Sequence, residues 1–287
     1  MIRLLAPAKV NLTLQILNQR PDGYHDIESL VQKVDFYDRI TLENSPDGRI
    51  TLRCNDPTLP IDSGNIAQRA AELLRESADI PAKGVRIHLD KHIPHGAGLG
   101  GGSSNAAAVL LGLNHIWKLS LDRDVLLGIA EQLGSDVPLF LHPSPAVIRG
   151  KGEIVKPSDL RINAVFVIVY PDVAVSTRWA YSNFRLTKSP GEYRISPLSR
   201  AMRGELSPDM WGGFLVNDLE TCVFERFPQV KRCKEVLIRH GARASLMSGS
   251  GSAVFGLFEN MGDAKEAARK ITRLERFDAI VARAVFS

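Results

Sequence analysis

Apolar and polar side chains alternate with a period of two along the first third of the chain. Residues 10–17 read VNLTLQIL, residues 27–36 are β-rich, and residues 39–43 and 49–53 flank the turn signal Ser45-Pro46-Asp47-Gly48. A strand meander is predicted. The period then lengthens: residues 65–78 read as a helix, residues 85–90 as a strand, and Ala106, Val109, Leu110, Leu113, Ile116 and Trp117 fall on one helical face with Ser103 or Ser104 as its N-cap. A further helix over 122–133 stops at Gly134. Beyond the turn-rich stretch 143–152 come a buried-type strand at 164–170, a polar Pro/Ser/Arg-rich region to about residue 208, and helices over 215–240. The tail reads strand (244–247), loop, strand (253–258), helix (263–273, with Asp263 and Glu266 as capping signals) and strand (278–285). With the strand at 164–170 in front, the tail resembles a split β-α-β. The expectation is an α+β chain of two domains, 1–155 and 156–287.

Between the strand at 85–90 and the helix that follows stands Gly96-Ala97-Gly98-Leu99-Gly100-Gly101-Gly102-Ser103-Ser104, with five glycines in seven positions against 23 in all 287 residues. Glycines admit positive φ and let backbone N–H groups reach an anion, and the following helix adds its free N–H groups and dipole. The run predicts a phosphate cradle. Gly96, Gly98 and Gly101 also satisfy the dinucleotide pattern G-x-G-x-x-G, with Asp122 or Asp124 at the distance of a ribose ligand. Against that pattern, a strand meander and a helix precede the loop here. No Gly-Lys-Ser or Gly-Lys-Thr follows the glycines, so a Walker loop is excluded, and the protein-kinase HRD and DFG signatures are missing.

Composition narrows the partners. The net charge of +4 comes without a dense basic tract, and only 7% of residues are aromatic, which fits an anionic small molecule and gives no sign of nucleic acid. Cys54, Cys222 and Cys233 are odd in number and form no CxxC pair, so neither a disulfide framework nor a zinc site is indicated. His88, His92 and His95 suggest a metal by spacing alone, but Pro94 interrupts any helix that would align them. Without an apolar leader block or a run approaching the ~18 residues of a membrane span, the expected location is cytoplasmic, away from any membrane.

Three segments, in order and spacing, resemble the kinase superfamily named after galactokinase, homoserine kinase, mevalonate kinase and phosphomevalonate kinase. They are Pro7-Ala8-Lys9-Val10-Asn11-Leu12, then Pro94-His95-Gly96 through Asn105-Ala106-Ala107, then Ser248-Gly249-Ser250-Gly251-Ser252-Ala253-Val254-Phe255. Ser248 stands where Thr is commoner, and Ala253 where Cys is frequent. Arg20-Pro21-Asp22-Gly23-Tyr24-His25 and Gly134-Ser135-Asp136-Val137-Pro138 are similar to the branch that phosphorylates 4-diphosphocytidyl-2-C-methyl-D-erythritol at its 2-hydroxyl; mevalonate and homoserine kinases are not expected to carry the DGYH tetrapeptide.

The resemblance implies a two-domain fold, an N-terminal ribosomal-protein-S5-like nucleotide-binding domain followed by a ferredoxin-like domain on the substrate side. It implies ATP, Mg²⁺ and a small cytidine diphosphate alcohol as ligands. Asp136 then falls at the position of the catalytic base and Lys9 at that of a cation beside the acceptor hydroxyl. Pro94, Gly96, Gly98, Leu99, Gly100, Gly101, Gly102, Ser103 and Ser104 would hold the nucleotide phosphates, with Ser103 or Ser104 on Mg²⁺, and Asn65 matches an adenine contact or a helix cap. Asn11, Tyr24, His25 and Tyr181, with Gly249, Ser250 and Gly251, would hold the acceptor, the aromatics stacking on its base. Two rivals stay open: a sibling kinase for mevalonate, homoserine or a sugar, and a non-catalytic nucleotide or RNA binder on the related fold.

Overall fold

In the computed structural model, which describes residues 1–185 and 208–286, the N-terminal alternation becomes strands β1 (Ile2–Asn11), β2 (Thr13–Gln19), β3 (His25–Ser45) and β4 (Ile50–Cys54). The segment read as one strand over 10–17 breaks at Leu12, whose N–H donates to Leu30 O at 2.8 Å. The runs at 27–36 and 39–43 join into the single long β3. Helix α1 (Ile66–Ser77) follows, then β5 (Gly84–Asp90), α2 (Gly101–Ile116), α3 (Arg123–Leu133) and the short α4 (Val137–Leu141), which the sequence pattern did not suggest.

One compact unit comprises Met1–Ala8, Phe36–Pro94 and Gly100–His142. In it β5 pairs antiparallel with β3, Arg39 opposite Asp90 through Ser45 opposite Gly84, and parallel with β4. Alternate residues Ile40, Leu42, Ile87 and Leu89 turn inward and are buried. Helix α1 adds Ala67, Ala70, Ala71 and Leu74, the i, i+3, i+4, i+7 set of an amphipathic face. Helix α2 differs: every residue from Ser104 to Leu110 is buried, because α1, α3 and α4 all pack around it.

The other unit comprises Lys9–Asp35, His95–Leu99 and Pro143–Ser287. It contains β6 (Ala146–Gly150), β7 (Ile154–Pro157), β8 (Val165–Tyr170), α5 (Thr177–Asn183), α6 (Trp211–Phe214), β9 (Val216–Asn217), α7 (Glu220–Arg226), α8 (Pro228–Arg239), β10 (Ala244–Met247), β11 (Val254–Phe258), α9 (Met261–Lys270) and β12 (Asp278–Val285). Strands β10, β11, β8 and β12 lie side by side in that order, each antiparallel to its neighbour. Helices α7 and α8 connect β8 to β10 and α9 connects β11 to β12, the ferredoxin-like arrangement that the tail pattern suggested. Phe166, Ile168, Phe255, Leu257, Val230, Val236 and Ala267 supply its core.

Two details correct the sequence reading. The stretch 215–240 opens with the strand β9 before its helices, and α9 is capped by Asn260, whose side chain accepts from Asp263 N, with Asp263 inside the first turn. The polar region running to about residue 208 lies mostly outside the described residues. No described helix is long and apolar enough to cross a membrane.

Candidate active site

The glycine run leaves β5 as a backbone that only glycine adopts freely. Gly96, Gly98 and Gly100 have φ of 68°, 74° and 70°, while the intervening Ala97 and Leu99 are buried and anchor the loop. Lys9 N donates to Leu99 O at 2.9 Å, Ala253 N to Ala97 O at 3.0 Å and the Ser248 hydroxyl to Gly98 O at 2.9 Å. A Cβ at position 98 would stand 2.1 Å from Ser248 O, so that position excludes any side chain.

The N-cap of α2 is Gly100 in the left-handed region, not Ser103 or Ser104 as the capping rule suggested. Glycine offers no side chain, so no side-chain cap bonds the first N–H groups of α2. The Ser104 hydroxyl is buried without a hydrogen-bond partner among the described residues. Such an atom is uncommon in a folded chain, where buried polar groups nearly always find a hydrogen-bond partner.

Lys9, near the end of β1, is only 5% exposed. Its ammonium donates to Asn11 Oδ1 at 2.5 Å, and Asn11 Nδ2 donates to Ser29 Oγ at 2.8 Å. Ser29 in turn donates its one proton to Thr13 O. That proton being committed, Ser29 can only accept from Asn11, and the Asn11 carbonyl end must face Lys9. The third glycine motif adjoins this cluster: a Cβ on Gly249 would lie 3.2 Å from Lys9 Nζ. Asn217 Nδ2 holds the motif by donating to Met247 O and Gly249 O, both at 2.8 Å, and Glu220 accepts from Met247 N at 2.9 Å. Ser250 Oγ meets Thr177 Oγ1 at 2.9 Å, and a Cβ on Gly251 would press on Met247 Sδ at 2.8 Å.

The DGYH turn is closed by local bonds. Arg20 N donates to Tyr24 O at 2.8 Å, Tyr24 N to Asp22 Oδ1 at 3.1 Å, and the Arg20 side chain reaches Asp22 and Asp26. Tyr24 is 57% exposed, with the Lys151 ammonium 4.9 Å from its ring centre. His25 points elsewhere: its ring lies 5.5 Å from that of Tyr181 and 6.5 Å, edge-on, from that of Phe184. Burial pushes the His25 imidazole below its usual value, so it is neutral at pH 7.

In the first unit, Asp136 takes the N-cap position of α4, yet its side chain makes no cap hydrogen bond there. The chain around it is stiff: Pro138 occupies the first turn, and Val137, Pro138, Leu139 and Phe140 are all buried. Asn65 is different. Its Oδ1 accepts from Ala67 N at 3.0 Å and its Nδ2 donates to Pro60 O at 2.9 Å, so it is the cap of α1.

Two family models match the chain, the GHMP kinases N-terminal domain over residues 65–144 and the GHMP kinases C-terminal domain over residues 198–275. The chain belongs to the GHMP kinases. Relatives named 4-diphosphocytidyl-2-C-methyl-D-erythritol kinase include one from Citrifermentans bemidjiense, 43% identical over 99% of both chains. Another, from Alkaliphilus metalliredigens, is 39% identical over 95% of this chain and 93% of that one. A crystal structure of 4-(cytidine 5'-diphospho)-2C-methyl-D-erythritol kinase superposes with a TM-score of 0.81 at 37% identity, covering both chains completely. Homoserine kinase from Cytophaga hutchinsonii, at 20% identity and a TM-score of 0.78 over 99% of this chain and 94% of that one, shares the fold.

In this GHMP kinase the structure joins Lys9 and Asn11 to the backbone of Leu99 and Gly249, and His25 to Tyr181. The Tyr24 ring meets the Lys151 ammonium, and His25 meets Tyr181. Sequence reasoning missed Ser29, Phe184, Asn217 and Glu220. Phe184 had a signal, being an aromatic one helical turn beyond Tyr181; the other three are single polar residues whose partners lie far along the chain.

Proposed function

We propose that this GHMP kinase transfers the γ-phosphoryl group of ATP to the 2-hydroxyl of 4-diphosphocytidyl-2-C-methyl-D-erythritol. The observation that carries the proposal is likeness over nearly the whole of both chains to kinases of that name, at about 40% identity. Residues 1–155 would serve the nucleotide and residues 156–287 the acceptor side. The substrate's hydroxyl oxygen bonds to the γ-phosphorus, the bond from that phosphorus to the β,γ-bridging oxygen breaks, and ADP leaves with the electron pair. Asp136 accepts the hydroxyl proton; the stiff corner set by Pro138 and the buried residues after it supports that role, because it limits where the carboxylate can point. Lys9, held by Asn11, offsets the charge that develops as the hydroxyl ionises.

The uncapped N–H groups of α2 and the loop Pro94–Ser104 take the phosphates. Asn65, already committed to its cap, would offer adenine the second lone pair of Oδ1 and the second hydrogen of Nδ2. The orphan hydroxyl of Ser104 fits a hard cation, with Ser103 beside it; Mg²⁺ there would supply charge neutralisation on the phosphates. His25 and Tyr181, with Tyr24, would form the pocket for the pyrimidine, and Ser250 and Gly251 the wall of the acceptor cleft. Three free thiols suit a cytoplasmic location.

The test is a phosphotransfer assay offering the cytidylylated alcohol, mevalonate, homoserine and a sugar separately. Turnover of the cytidylylated alcohol alone is expected, and turnover of one of the others without it would overturn the substrate assignment.

A further inference from the structure

We infer that Asp38 is a positioning residue for ATP, clamping both flanks of the glycine loop with one carboxylate; the inference rests on reading that loop as the phosphate site. Asp38 lies on β3 and is completely buried. Its Oδ1 accepts from His92 N at 2.7 Å and from Ile93 N at 2.9 Å, the residues by which the chain leaves β5 for the loop. Its Oδ2 accepts from Asn105 Nδ2 at 2.8 Å, on the second turn of α2, and from the Lys91 ammonium. Lys91 Nζ also donates to Asn105 Oδ1 at 3.2 Å, closing a triangle of three side chains, all nearly inaccessible to water.

The division of labour between the two oxygens is the telling feature. One holds the strand end before the glycines, the other holds the helix after them together with the Lys91 ammonium, and all four donors come from residues 91–105. Helix α2 is tied closely: a Cβ on Gly101, its first residue, would lie 3.0 Å from both Lys91 Nζ and Ile93 Cγ2. A buried ion pair is weak evidence for stability, since an apolar cluster of the same shape often serves as well. It does fix geometry, because each partner tolerates few positions for the other. Here the fixed quantity is the spacing between the strand end and the N–H groups that open α2. The pairing also commits Lys91, the lysine nearest the loop in sequence, to Asp38, so the anion site draws its positive potential from backbone N–H groups and from the helix dipole.

The experiment compares the Asp38→Asn/Lys91→Met double variant and the Asn105→Ala variant with the unaltered enzyme, reading KM for ATP, KM for the cytidylylated alcohol, kcat and ATP affinity by calorimetry without the alcohol. The double variant removes both charges and leaves at most one neutral amide–amide hydrogen bond to Asn105, loosening the helix side of the clamp. Displacements of about 1 Å cost up to about 100-fold, so KM for ATP should rise about tenfold while KM for the alcohol stays within about twofold. Asn105→Ala cuts only the tie to α2 and should raise KM for ATP about threefold; it decides the matter if the double variant does not fold. An unchanged KM for ATP in a folded variant overturns the role of Asp38, as does an equal rise in both KM values. Failure of the unaltered enzyme to bind ATP would instead remove the phosphate-site reading on which the inference rests.

Discussion

Lys9 and Tyr24 are built in opposite ways. Lys9 is 5% exposed and is held by a chain of buried hydrogen bonds through Asn11 and Ser29 to a backbone carbonyl, whereas Tyr24 is 57% exposed on a turn closed by its own neighbours. The first arrangement allows one geometry and tolerates little change nearby. The second can be rebuilt by substituting a few surface residues. Phosphoryl transfer is common to the GHMP kinases and rewards fixed geometry, while the alcohol differs from one member to another. If Lys9 and Tyr24 hold the roles proposed above, the difference teaches where a kinase of this fold can change its substrate without losing its chemistry.

The largest effects are therefore expected at the buried end. Lys9→Met should lower kcat by about 10³-fold and leave ATP affinity unchanged, with Asp136→Asn falling in the same range, since general-base and charge-stabilising groups each contribute roughly 10²- to 10⁴-fold. Single-turnover kinetics with calorimetric ATP binding checks both. A Lys9→Met enzyme that keeps its kcat but loses ATP affinity would move Lys9 from the acceptor to the nucleotide. Ser29→Ala comes next. It frees the Asn11 amide to turn and leaves Thr13 O without its partner, so kcat should fall about tenfold and stability by about 1–3 kcal/mol, read by denaturant titration. Full activity in that variant would show that Lys9 needs no such support.

Ser29 also marks the limit of what the sequence reveals. The glycine run is legible because its composition is improbable and because backbone geometry alone gives it a use. Ser29 is one small polar residue in an alternating strand, and its partners are set by strand pairing. The break at Leu12 is hidden for a similar reason: VNLTLQIL alternates straight through it, and the bond from Leu12 N to Leu30 O found at the break belongs to the tertiary fold. The cap of α2 departs from local preference. Serine is the better capping residue, but Gly100 in the left-handed region leaves the first N–H groups open. Asn217 and Glu220 gave no signal, because each is a single polar residue whose bonds run to the backbone of a motif about thirty residues away.

At the exposed end the effects should be smaller and confined to one substrate. Tyr24→Ala should raise KM for the cytidylylated alcohol about tenfold, as expected for one base–aromatic stack worth roughly 1–3 kcal/mol, and leave kcat and KM for ATP within about twofold. Steady-state kinetics with each substrate varied in turn checks this. An effect on ATP alone would place the pyrimidine elsewhere and dissolve the contrast with Lys9.

The mildest prediction concerns His25, which lies between the two extremes, half-buried against Tyr181 and Phe184. Burial lowers its pKa, so the unfolded chain takes up this proton before the folded one does. Its contribution to stability is complete above the unfolded value of about 6.5 and is lost as the pH falls through that value toward the lower folded one. The same neutrality should govern binding: KM for the alcohol should be flat between pH 7 and 8 and rise a few-fold only as the pH drops below the ordinary imidazole range. His25→Gln should abolish that acid limb while KM for ATP keeps its own profile. If the limb persists in His25→Gln, the proton belongs to another group, and His25 joins Tyr24 as a contact of shape alone.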